Sequence, residues 1–164
     1  ILYLKYHIYD CLTDWQGDLL DYASAYMFMR YYADRFGEMK LRDINSSTNY
    51  FVSSDTLASI AGAEITSFND LFIDWLTAVI LDAIGYMPGD STLRQKYLYQ
   101  TLDLSTYDFP KDTTGYISMA HGSGAFIYMT NLETAKRIDI DINGDSYIGM
   151  RLIMLPADGA SFSA

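Results

Sequence analysis

A hydrolytic zinc centre needs three protein ligands and an open coordination position, commonly two histidines one helical turn apart with a carboxylate or a third histidine. This chain holds two histidines, His7 and His121, and neither has a Glu or His partner four residues away. No His-Glu-x-x-His occurs, so the sequence builds no such centre by itself. Nucleophilic chemistry is no better supplied. There is no Gly-x-Ser-x-Gly turn, and the single cysteine, Cys11, has only His7 near it in sequence. That spacing puts both on one helix face, whereas papain-like chemistry brings them from separate elements. The 122–124 Gly-Ser-Gly run is short for a phosphate loop and no Lys follows it. Tyrosines remain. Tyr22 and Tyr26 lie one helical turn apart, so both hydroxyls could face one groove and contact a substrate or an oxyanion. Burial of the same two rings in a core is the competing expectation.

A weaker constellation lies near the C-terminus. Asp141, Asn143 and Asp145 occupy the first, third and fifth positions of an EF-hand-like calcium loop. The rest of that loop departs from the pattern: Ser146 stands where glycine is needed, and Leu152 where a bidentate acid belongs. A hairpin with its acids in solvent accounts for the same residues, which leaves a weak calcium site at most.

Composition narrows the partners. Eleven basic against twenty-one acidic residues give a formal charge of −10, so a nucleic-acid backbone would be repelled. Half of the 164 residues are apolar, enough to bury a core. Fifteen tyrosines and two tryptophans pair apolar bodies with polar tips, suiting either a core or a wet binding surface. One cysteine rules out an internal disulfide, and Cys11 is expected to be a buried thiol. Residues 1–12 do not read as a signal peptide, because Lys5, His7 and Asp10 interrupt the apolar run. The stretch from Phe68 to Ile84 carries Asp70, Asp74 and Asp82, too short and too charged to span a bilayer.

The elements that would position these groups are helical over the first hundred residues. Tyr22, Ala25 with Tyr26, Met29, and Tyr32 with Ala33 recur at spacings of three and four, which predicts a helix over 20–36 with that stripe buried and Arg30, Asp34 and Arg35 away from it. Gly37 ends it. Further helices are predicted over 38–45, over 55–61 with Ser54 or Asp55 as cap and Gly62 as stop, and from Phe68 to Gly85. Ser67-x-x-Asp70 has the form of a capping box that opens the last of these. Phe68, Leu71, Phe72, Trp75, Leu76, Val79 and Ile80 make its buried face. A fifth helix is plausible over 92–102. After that the composition turns to strand formers: 115–120, 125–130, the alternating 137–142, and 147–155 beyond an Asn143-Gly144 hairpin signal. The expected fold is α+β, a helical lobe of about five helices over 1–103 followed by a small antiparallel β-sheet or sandwich over 104–164.

Two motifs carry a family resemblance. Asp21-Tyr-Ala-Ser-Ala-Tyr-Met-Phe-Met-Arg-Tyr-Tyr-Ala-Asp-Arg-Phe-Gly37 resembles the aromatic helix that follows the active site in secreted zinc metallopeptidases of the hyicolysin type. Ser67-Phe-Asn-Asp-Leu-Phe-Ile-Asp-Trp-Leu-Thr-Ala78 is similar to the F-x-x-L-F-x-D-W-x-x-A helix of the same group. The likeness covers roughly residues 15–84. It implies the C-terminal portion of a secreted or cell-surface bacterial enzyme that hydrolyses peptide bonds, with Tyr22 and Tyr26 on the substrate side. It also implies that the zinc ligands and general base precede Ile1, so that the chain alone would be inactive and would depend on that upstream segment. In this group Asp74 and Trp75 match a pair best taken as packing and capping. The alternative from another class is a non-catalytic secreted or surface module that binds protein or glycan through its tyrosine-rich exterior.

Overall fold

This computed structural model describes residues 10–46, 53–105, 123–126, 149–151 and 153. Five helices follow one another: α1 (Leu19–Phe36), α2 (Glu38–Ser46), α3 (Ser54–Ala61), α4 (Phe68–Ala83) and α5 (Ser91–Tyr97). Side-chain caps fix where most of them begin. At α1 the Asp18 carboxylate accepts from the Leu20 and Asp21 N–H groups at 2.7 and 3.1 Å, while the Asp21 carboxylate reaches back to the Asp18 N–H at 3.0 Å. This reciprocal box satisfies backbone donors that the first turn would leave unpaired. Ser53, one residue before the expected Ser54, caps α3 by accepting from the Thr56 N–H. At α4 the Ser67 hydroxyl accepts from the Asp70 N–H at 3.1 Å, but the return bond differs from a capping box: the Asp70 carboxylate takes the Ser67 and Thr66 hydroxyls. Gly37 closes α1 at φ 92° and ψ 152°, and its N–H donates to the Ala33 carbonyl at 2.8 Å. Only glycine visits that region without strain. Helix α5 is shorter than the expected 92–102, because Leu98 already has extended backbone at ψ 146°.

The core forms where α1 meets α4. Met27, Phe28, Tyr31 and Tyr32 of the first and Leu71, Trp75, Ala78 and Val79 of the second are buried together. Phe28 stands edge-on to Trp75 with ring centroids 5.4 Å apart and planes at 88°, the arrangement the ring quadrupoles favour. The buried face of α1 agrees with the periodicity at Tyr32 and Ala33 but not at Tyr22 and Tyr26. Ser24, Met27, Phe28, Tyr31, Tyr32 and Arg35 point inward, whereas Tyr22 and Tyr26 lie 60% and 59% exposed. Both faces of α1 are rich in apolar residues at helical spacing, so periodicity alone does not choose between them. The choice falls to the rings that can interlock with Phe68, Phe72 and Trp75 of α4. A smaller cluster of Leu81, Tyr97 and Leu98 joins α4 to α5, with Leu93 and Ile153 against it.

The α+β expectation is corrected: among the described residues there is no strand, and the fold they make is helical. Most of the four strand-like runs lies outside the described residues. Their described parts, 125–126, 149–151 and 153, form no ladder. Strand propensity reports fit to a half-buried pleated surface with cross-strand neighbours. Here the neighbours are helical side chains instead. A Cβ on Gly124 would stand 2.5 Å from Leu76 Cδ1, and one on Gly149 would stand 2.8 Å from Ile73 Cδ1, so the glycines let the backbone come close to α4. Phe126 packs against the main core, and Leu104, at the head of the expected tail, is fully buried in it.

Candidate functional site

Tyr22 and Tyr26 project from the outer face of α1, and the loop before the helix brings Trp15 beside Tyr22. The Trp15 and Tyr22 rings meet edge to face at 4.9 Å, and Trp15 is 56% exposed. Leu19 is exposed one turn before Tyr22, so Leu19, Tyr22 and Tyr26 share the outer side of α1. The loop is held by a single carboxylate. Asp21 Oδ2 accepts the backbone N–H groups of Gln16, Gly17 and Asp18 at 2.8, 2.5 and 3.0 Å, which fixes the turn that presents Trp15. The sequence suggests a tyrosine pair here but not the tryptophan, whose approach depends on that Asp21-centred turn.

Asp10 precedes this loop. It is buried, and its Oδ2 has no hydrogen-bond partner. Burial raises its pKa above 3.8; the Ser24 hydroxyl opposes the rise, and the charges of Asp21 and Asp18 add to it. A folded-state pKa above the unfolded one means that the native state holds the proton more tightly. The corresponding stability is fully present below pH 3.8 and is lost as pH rises through the folded value. Asp10→Asn should therefore raise the urea midpoint at neutral pH, with the advantage shrinking on acidification. Equal midpoints for variant and parent at neutral pH would contradict this.

A second neighbourhood centres on Asp74, expected only to pack and cap. Its carboxylate is buried and meets three cations: Arg35 Nη1 at 2.8 Å, Arg151 Nη1 at 2.5 Å and Lys96 Nζ at 3.4 Å. Arg35 is buried too and donates to the Tyr31 hydroxyl at 2.7 Å, which correctly belongs to the core face and not, as its sequence spacing suggested, away from it. Burial works against the Arg35 charge, yet Tyr31 and Asp74 outweigh it and its pKa is raised. Burial also pushes the Tyr31 hydroxyl well above its ordinary range, so Tyr31 stays neutral and donates a 3.0 Å hydrogen bond to the Lys96 carbonyl. Arg151 also donates to the Thr77 hydroxyl at 3.1 Å. One sequence signal was available: Leu71, Trp75 and Ala78 stand at i−3, i+1 and i+4 from Asp74 on one helix face, and an acid there must find a partner. Nothing in the sequence named Arg35 or Arg151 as that partner. With every oxygen of Asp74 committed to cations, this cluster ties α1, α4, α5 and residue 151 together; it has no group left to act as a base.

The remaining candidates separate. Cys11 is half-exposed, not buried, with its Sγ 3.4 Å from the Thr13 hydroxyl. His7, His121, Asp141, Asn143 and Asp145 lie outside the described residues. Among the described residues no group of three or more His, Cys, Asp or Glu side chains could hold a metal ion, so they do not fit a zinc centre. None of the described helices is long and apolar enough to cross a membrane. Comparison with protein-family models, with curated proteins and with solved structures found no match. The two motif segments are the helices α1 and α4.

Proposed function

We propose that this chain is the substrate-side helical lobe of a secreted bacterial zinc metallopeptidase, its C-terminal portion, which contacts a peptide or protein substrate while zinc is held by residues outside this sequence. The observation that carries the proposal is the exposure of Tyr22 and Tyr26 on one face of the motif helix, 60% and 59%, where burial was the competing expectation. Two neighbouring phenol hydroxyls outside the core are available as donors to a peptide carbonyl and to the oxyanion it becomes. The joint packing of α1 and α4 supports it further, since the two motifs on which the resemblance rests form one unit. The chain's own part is contact and donation. Among the described residues Asp74 of α4 is not available as a general base, because both its oxygens are taken by cations.

The second proposal, a non-catalytic secreted or surface binding module, uses the same exposed aromatic side chains. Kinetics separate the two. In the full-length protein, Tyr22→Phe or Tyr26→Phe should lower kcat by about 100-fold if the hydroxyl donates only in the transition state. Thermal stability should stay unchanged, because both rings are exposed. Unaltered kinetics in both variants would remove the peptidase role from this face.

A further inference from the structure

The aromatic face has a sign of charge. From Asp10 to Met29 the chain carries four aspartates, Asp10, Asp14, Asp18 and Asp21, and no Lys or Arg. The nearest cation along α1 is already used: Arg30 pairs with Asp34 and Glu38, each at 2.9 Å. Asp14 and Asp18 are exposed and stand one and three residues from Trp15 in the chain, while Asp10 is buried with an unpartnered oxygen. Aromatic rings present a negative face to cations, tryptophan most strongly, and the edge-to-face contact of Trp15 with Tyr22 leaves ring surface open to solvent. We infer that the Trp15–Leu19–Tyr22–Tyr26 face takes a cationic peptide segment, an Arg or Lys side chain lying over Trp15 and Tyr22 with its charge opposite Asp14 and Asp18, and an apolar neighbour on Leu19. This rests on the peptide-contact role proposed above and adds the charge class of the peptide. A neutral glycan would gain ring stacking but nothing from the aspartates, and a nucleic acid would be repelled by them.

The test uses two fluorescently labelled peptides of equal length and apolar content, one Arg-rich and one Glu-rich, titrated against the full chain and read by anisotropy. The Arg-rich peptide should bind at least about tenfold tighter, and added salt should weaken it. Trp15→Ala and Tyr22→Ala should each cost about threefold to thirtyfold in its affinity. The double variant Asp14→Asn, Asp18→Asn should weaken the Arg-rich peptide and strengthen the Glu-rich one; it keeps α1 capped, because Asn caps as well as Asp. Equal affinity for both peptides, an Arg preference that Trp15→Ala leaves intact, or equally tight binding of a neutral oligosaccharide would overturn the inference. Chelator-sensitive hydrolysis of both peptides without charge preference would sink it while the peptidase proposal survived. Selective Arg-peptide binding with no hydrolysis by the full-length protein would do the reverse.

Discussion

Asp74→Ala should destabilise the protein by about 3–5 kcal/mol, the cost of removing one partner from a buried ion pair. The carboxylate is the shared counter-charge for Arg35, Lys96 and Arg151, and the Arg35 guanidinium would be left among apolar side chains with Tyr31 as its close partner and exposed Glu64 at 3.7 Å. Stranded charge costs more than a missing hydrogen bond, since the guanidinium cannot shed its proton. Domains of this kind are held by roughly 5–15 kcal/mol in total, so the variant should sit near the edge of folding at ordinary temperature. Glu38→Ala is the control: its pair with Arg30 is solvent-exposed and should contribute about 0–1 kcal/mol. Urea titration of both variants reads the difference. Similar losses for the two would show that Asp74 is not the electrostatic centre described here.

Trp75→Ala should cost about 3–5 kcal/mol as well, by a different route. Its side chain is fully buried, lies edge-on to Phe28, and packs on Phe72 with ring centroids 5.5 Å apart. Removing it opens a cavity at the α1–α4 contact that rigid helices cannot close. Its Nε1–H also donates to the Tyr99 hydroxyl at 2.8 Å, and Tyr99 in turn donates to the Met27 carbonyl at 3.0 Å. Trp75→Phe separates the two contributions. It keeps most of the ring volume but leaves the Tyr99 oxygen without its donor, for roughly 1–3 kcal/mol. If the alanine and phenylalanine variants unfold at the same urea concentration, the cavity is not the larger cost.

These two residues also mark how far the sequence could be read. The positions of α1 to α4 follow from local chemistry: Asp18, Ser53 and Ser67 open helices by accepting N–H bonds, and Gly37 and Gly62 close them at positive φ. Such caps involve residues three or four apart, which is why they are visible in a linear string. The face that α1 buries is a long-range decision, made by the fit of Phe28 against Phe68 and Trp75, and a stripe count cannot see it. The same holds for Asp74. Its mid-face position announced a buried acid, but Arg35 and Arg151 are 39 and 77 positions away. At the candidate site Tyr22 and Tyr26 were legible as a helical pair, whereas Trp15 joins them only because Asp21 gathers three backbone N–H groups into a turn. Of the strand-like runs after residue 114, the described parts form no strand, and Gly124 and Gly149 press onto Leu76 and Ile73 of α4.

The most direct test of the proposed role is zinc content and peptide hydrolysis measured together on the full-length protein as its natural source makes it. A substrate-side lobe of a metallopeptidase predicts about one zinc per molecule, with cleavage that a chelator abolishes and added zinc restores. A protein that holds no zinc and cleaves nothing, yet still binds peptide through the Trp15–Tyr26 face, would contradict the enzyme and leave a binding module.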